Sequence, residues 1–250
     1  MKFVTPEVHL LGKTHLLAKG ARDFLDESYG GEEWLYNRLP DSGAQAPDHE
    51  ILIELAGRLC YDSYSADGGN PNVTRVREDR IEYLRNLIKS GHGSVLEHAF
   101  FNFGIRNTSV VMTQELIRHR VGTAISQESG RYVRPTELLI VDTPYMQDPQ
   151  NRVRMDTHFT NMWHQYQHEV NRYDWDSMPF SEKKELTSEL RGMLPIRRAT
   201  NLVWSGNIRS LRHIIDLRTS KHAEWEIRFV FSQVLDIMLE ESIALFEDLR

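Results

Sequence analysis

A single cysteine, Cys60, stands in the 250 residues of this chain. An internal disulfide framework is thereby excluded, as is a cysteine-rich structural zinc site, and Cys60 is the only thiol nucleophile on offer. Long apolar runs are also lacking. No stretch approaches the ~18 consecutive apolar residues of a membrane-spanning helix. The opening MKFVTPEVHLLGK has no uninterrupted apolar run of the kind that directs secretion. No membrane partner and a cytoplasmic location are therefore expected. Neither HEXXH spacing nor a GxGxxG fingerprint occurs, so no zinc-binding helix of that kind and no separate dinucleotide-binding domain are expected.

What is there describes a folded protein. Hydrophobic residues make up 40% and charged residues 26%, enough to bury a sizeable core. The net charge of -6 argues against a surface that attracts nucleic acid overall. Within it, residues 106–134 carry a local +3 and residues 191–228 a local +5, mostly from Arg. Two Arg-rich segments in an acidic chain point to a confined anion site, because guanidinium groups suit bidentate contact with phosphate or carboxylate.

The pattern predicts a strand interrupted at Pro6, a loop from Tyr29 to Pro47, and a helix capped by Asp48 with Leu52, Leu55, Ala56 and Leu59 inward. Cys60, at the apolar end of that helix, is expected to be buried. A second helix is expected from about Thr74 to Ser90, with Gly91 past its end. Residues 99–107 and 137–142 read as strands, and Thr108 or Ser109 as the start of a helix delivering Arg118, His119 and Arg120. Residues 153–173 and 181–191 read as helices, ATNLVWSG as a strand, and the stretch from Ser205 or Asn207 to about Arg218 as a helix with Leu211, Ile214, Ile215 and Leu217 buried. A last helix is expected from Ala223 to Leu249. No internal repeat or linker divides residues 1–250, so a single α+β domain is expected.

Three clusters carry chemistry. RHRVGTAISQESGRY, residues 118–132, places three cationic or titratable side chains at a helix end, where successive residues point about 100° apart and so reach different groups. The following hydroxyls, glycines and Arg131 are the ingredients of a phosphate-binding turn. Compensation of the helix macrodipole by Arg118 and Arg120 is the plainer reading. NIRSLRHIIDLRTSKHAEWE, residues 207–226, sets Asn207, Arg209 and His213 on two sides of a helix and Arg218 near its end, where an Arg also serves to cap carbonyls. GHGSVLEHAF supplies His92, Ser94, Glu97 and His98; no third ligand completes a metal site, and no metal is expected.

Together these segments resemble the flavin-dependent thymidylate synthases. The Arg-His-Arg triplet with a downstream Ser stands as Arg118, His119, Arg120 and, after eight residues, Ser129. Asn-x-Arg-Ser-Leu appears at Asn207 to Leu211, Leu-Arg…His-Ala-x-Trp-Glu at Leu217 to Glu226, and the upstream Gly-His-x-Ser…Glu-His segment at Gly91 to His98. Many members have seven residues where this chain has eight. Gln127 stands where an acidic residue is common, Glu115 where some members have Gln, and His213 where Asn is frequent.

The resemblance implies an α+β fold with a mixed or antiparallel sheet packed by long helices, assembled as a homotetramer whose sites are shared between subunits. It implies FAD contacts from His92, Ser94, Arg118, His119, Arg120, Gln127, Asn207, Arg209 and His213. It implies nucleotide contacts from Glu115, Arg118, Gln127, Glu128, Ser129, Gly130, Arg131, Arg191 and Arg218. The expected reaction is reductive methylation of dUMP to dTMP, with methylenetetrahydrofolate as carbon donor and NADPH as reductant. Arg218 would be the catalytic residue, activating the pyrimidine without a cysteine nucleophile. Two other readings use the same cations: a nucleotide or nucleic-acid binder without catalysis, and a relative that hydroxymethylates the pyrimidine.

Overall fold

Alternation along two strands builds the core. The computed structural model describes residues 1–26, 30–43, 46–65, 70–73 and 75–250. β1 (Lys2–Val4) and β2 (Glu7–Lys13) flank Pro6, as expected. β3 (Phe100–Ser109) turns Phe101, Phe103 and Ile105 to one face, and every second residue of its neighbour, including Leu202 and Trp204, points the same way. Trp204 stacks on Phe103 at 5.8 Å and meets Phe231 edge-on at 5.4 Å. Truncating so buried an aromatic costs about 3–5 kcal/mol.

The chain continues through α1 (Ala18–Leu25), α2 (Gly31–Tyr36), α3 (Asp48–Leu59), α4 (Arg80–Lys89) and α5 (Val110–Leu116). Then come β4 (Thr123–Gln127), β5 (Leu139–Val141), α6 (Pro149–Val170), α7 (Phe180–Leu190), β6 (Ala199–Asn207), α8 (Ile208–Thr219), α9 (Trp225–Glu241) and α10 (Ile243–Phe246). The result is an α+β architecture. An antiparallel sheet in the order β2-β3-β6-β4 is the larger layer, and β1 pairs with β5 in a separate parallel pair. α8 and α9 pack on the core face of the larger sheet, through Leu211, Ile214, Ile215, Ile227, Val230 and Phe231. Phe159, Trp163 and Tyr166 of α6 form a second core with Leu138 and Ile140. No described helix is long and apolar enough to cross a membrane.

Several expectations are corrected. The segment expected as loop contains α2, because Trp34 and Leu35 bury against Leu25, Ile51 and Leu55; Tyr29, at its expected start, lies outside the described residues. α3 begins at Asp48 itself, with Pro47 in the cap position, and the Asp48 carboxylate pairs with His15 instead of capping. Its buried stripe runs through Ile51, Ile53 and Leu55, while Leu59 and Cys60 are exposed. Arg58, held by Glu54 at 2.8 Å, occupies the interior in place of Cys60. α4 starts at Arg80 under an Asp79 cap to Glu82 N at 2.7 Å; Thr74 lies outside the described residues. Gly91 does follow its end, at φ 70°. Leu217 is exposed, and the last helix breaks at Ser242, whose buried hydroxyl donates to the Glu50 carboxylate.

Candidate active site

One buried carboxylate sets the position of the Arg-His-Arg segment. Ser109 caps α5, its Oγ accepting from Met112 N at 3.2 Å. The same hydroxyl donates to Glu226 Oε2 at 2.6 Å, while Ser109 N and Thr108 Oγ1 donate to Glu226 Oε1 at 2.6 and 3.0 Å. Glu226 lies in the first turn of α9 and is only 5% exposed. The β3–α5 corner is thereby clamped to α9, and a helix of seven residues then delivers Arg118, His119 and Arg120 at a fixed place.

From there the chain is laced to the start of α8. Asn207 N donates to Gly122 O at 3.0 Å, Ser210 Oγ to Val121 O at 2.7 Å, and Asn207 Oδ1 caps α8 by accepting from Ser210 N at 2.9 Å. Gly122, at φ 67°, fits no other side chain: a Cβ there would stand 2.3 Å from Ser210 Oγ and 2.4 Å from Asn207 Nδ2. The lacing encloses a cleft of about 410 Å³ lined by Arg118, His119, Arg120, Asn207, Arg209 and His213. Arg209 pairs with Glu97 at 2.5 Å and lies against Gly93. Residues 123–127, expected as part of a turn, instead form edge strand β4, paired to β6 from Thr123–Gly206 to Gln127–Leu202.

Arg218 comes to this segment across 99 residues of sequence. Its Nε donates to His119 Nε2 at 2.8 Å and its Nη1 to Glu115 Oε2 at 2.9 Å. Burial holds the His119 pKa below the ordinary imidazole value, and the positive charges of Arg218 and His213 push the same way. The Glu115 carboxyl is raised, first by desolvation and then by Glu224, with Arg218 acting against both.

The remaining nucleotide candidates gather at the other end of β4, a strand of five residues and so about 17 Å away. Gln127 reaches Thr200 Oγ1 at 3.5 Å, and Glu128 is tied to Asn201 by Glu128 N to Asn201 O at 2.9 Å. Beyond it Ser129 turns the chain: Val133 N donates to its carbonyl at 2.9 Å and Arg131 N to its Oγ at 3.3 Å. Gly130 faces Arg191 and Arg198. Of the upstream candidates, His92 stacks on Tyr61 at 5.8 Å and lines a different cavity, with Arg58 and Tyr83, and Ser94 is exposed in the 3-10 turn Gly93–His98. Within one chain, then, the candidate residues fall into two separate groups, one at the cleft and one at the Ser129 turn. Glu97 and Ser210 stand inside the motifs quoted from the sequence, whereas Arg198 is not singled out there; its one signal is the Arg197–Arg198 pair after Pro195.

Residues 44–242 match the family model described as thymidylate synthase complementing protein. The chain belongs to that family. It is similar to the flavin-dependent thymidylate synthase of Corynebacterium diphtheriae, with 31% identity over 208 residues, 81% of this chain and 80% of the relative. The enzyme of that name from Mycobacterium marinum is 32% identical over 246 residues, covering 96% of this chain and 88% of its own length. The Mycobacterium tuberculosis one is 34% identical over 202 residues, 79% and 78% of the two chains. The chain is accordingly an enzyme of the flavin-dependent thymidylate synthase type. The thymidylate synthase complementing match begins after α2, and Arg38, before its start, is joined to Glu54 within it by bonds of 2.6 and 2.7 Å.

Proposed function

We propose that this chain, as one domain over residues 1–250, converts dUMP to dTMP in the cytoplasm. Methylenetetrahydrofolate would supply the carbon and NADPH the reducing equivalents, with FAD bound at the cleft and no cysteine nucleophile. The observation that carries the reading is the Arg218–His119 bond, which sets a guanidinium from the Leu-Arg…His-Ala motif beside the Arg-His-Arg triplet.

The residues present fit a flavin dinucleotide. Arg118, Arg120 and Arg209 supply cations for a diphosphate, Asn207 an amide, and His119 and His213 flat imidazoles, in a cleft whose backbone closes in at a glycine. His92 and Ser94 would complete that set from a neighbouring subunit. When bound, the flavin supplies hydride transfer.

Ser129 Oγ, Gly130, Arg131 and Arg191 would hold the nucleotide phosphate, with Gln127 and Glu128 beside them on β4. The Ser129 hydroxyl accepts from Arg131 N and has no general base at hand among the described residues, which suits it to binding phosphate and not to nucleophilic attack. Glu115 and His119 fix two nitrogens of Arg218, leaving Nη2 to stabilise negative charge on the pyrimidine ring. A guanidinium stays charged through the reaction, so no proton has to be moved to create that field. Cys60 lines neither the cleft nor the cavity at the Ser129 turn.

A homotetramer with shared sites is supported by the separation of the two groups along β4 and by the apolar surface left open. Val203 and Leu11 are exposed on the sheet face away from α8 and α9. A groove of about 1160 Å³ runs beside Arg218, lined by Leu217, Leu235, Leu239 and Leu249.

Purified protein incubated with dUMP, methylenetetrahydrofolate and NADPH tests the reading. A flavin spectrum bleached by NADPH and the appearance of dTMP are expected. A colourless protein, or hydroxymethyl-dUMP as the only product, would overturn it.

A further inference from the structure

We propose that Arg198 is a further substrate-binding residue, which supplies a second guanidinium to the nucleotide phosphate beside Arg191. The inference rests on the nucleotide-binding reading above and extends it to a residue outside the three motifs of the resemblance.

The backbone of Arg198 is fixed on both sides. Its N–H donates to Pro195 O at 3.0 Å, its carbonyl accepts from Val110 N at 3.3 Å, and it bridges to Ile140 at the entry to β6. The side chain runs to the Ser129–Arg131 turn. A Cβ placed on Gly130 would stand 3.0 Å from Arg198 Nη2 and 3.4 Å from Arg191 Cδ, so both arginines meet the turn at its glycine.

Arg198 is half-buried, and among the described residues its side chain has no hydrogen bond and no ion pair, whereas the adjacent Arg197 reaches Glu226 at 3.9 Å. Desolvation is the main influence against its charge; Glu128 attracts it without forming an ion pair, and Arg191 repels it more weakly. Two arginines that meet at one turn repel each other, and Glu128 offsets that repulsion without bonding to Arg198. A phosphate dianion reverses the balance: it removes the repulsion and accepts charge-assisted bonds from both, at a turn whose Ser129 hydroxyl and backbone N–H groups face the same ligand class. The arrangement selects a nucleoside monophosphate over the bare nucleoside.

The test is calorimetric titration of dUMP and of deoxyuridine into wild-type, Arg198→Gln, Arg198→Lys and Arg191→Gln proteins, with thermal unfolding of each without ligand. Arg198→Gln is expected to weaken dUMP binding about 10- to 100-fold, the worth of hydrogen bonds between charged groups. Deoxyuridine binding should stay as in wild type, Lys should restore part of the loss, and the unliganded midpoint should hold or rise. Unchanged dUMP affinity in Arg198→Gln, or a lowered midpoint with both ligands weakened alike, would overturn the proposal. If Arg191→Gln is weakened in either case, the proposed function stands without Arg198. Wild-type protein that binds no dUMP would sink both.

Discussion

Arg218 Nε donates to His119 Nε2 across 2.8 Å. A nitrogen that accepts from a guanidinium carries no proton, so this bond and the lowered His119 pKa describe one state: a neutral imidazole that orients a charged Arg. Replacing Arg218 by Gln removes one of the charges that depress the imidazole. The His119 pKa should then rise in an NMR titration of the ring but stay below its ordinary value, since burial, the main cause, and the lesser push from His213 remain. No change would show that the two groups do not interact in solution.

Gly122 predicts a different failure. An added methyl meets Ser210 Oγ and the Asn207 side chain, two groups that cap α8 and close the cleft, in a backbone conformation that L-residues resist. Gly122→Ala should lower stability by about 1–3 kcal/mol in denaturant unfolding. It should also weaken flavin retention more than a mutation of equal destabilisation in α6. Full flavin content with wild-type stability would contradict the close approach.

His49 gives a pH dependence. It is fully buried, edge-on to Phe101 at 5.0 Å, and its pKa falls to about 4. Desolvation is the main cause; Lys13 adds to it, and Glu241 and Asp48 oppose it. The unfolded chain takes up a proton near pH 6.5 while the folded one refuses it until about pH 4, so stability is lost as pH falls through that interval. The full loss is about 3 kcal/mol. His49→Leu should flatten the acid limb of a plot of unfolding free energy against pH, between pH 6.5 and 4. An unchanged limb would show that other groups dominate acid sensitivity.

Local signals in the sequence make the scaffold of the site legible. Ser109 and Asn207 each stand directly before a helical apolar stripe, and both cap as their chemistry suggests. What is not legible there depends on distant partners. β4 has no alternation to read, since four of its five residues are exposed in the chain; it is a strand because β6 offers it hydrogen bonds. α2 forms between Gly30 and Pro40 because Trp34 finds Tyr64 and Leu35 finds Ile51, contacts that glycine and proline content does not reveal. Arg198 looks like any surface arginine until Gly130 and Arg191 are seen beside it. Cys60 is exposed, against its apolar surroundings in sequence, because Arg58, two residues earlier, fills the interior through Glu54.

The central claim is that a guanidinium, and not a thiolate, activates the pyrimidine. Its most direct test is dTMP formation by Cys60→Ala and Arg218→Gln proteins, measured side by side at matched flavin content. Cys60→Ala should turn over at close to the wild-type rate, and Arg218→Gln should lose about 10²- to 10³-fold, as removal of one electrostatic donor at developing charge does. An inactive but folded Cys60→Ala protein, or an Arg218→Gln protein of normal rate, would contradict the account.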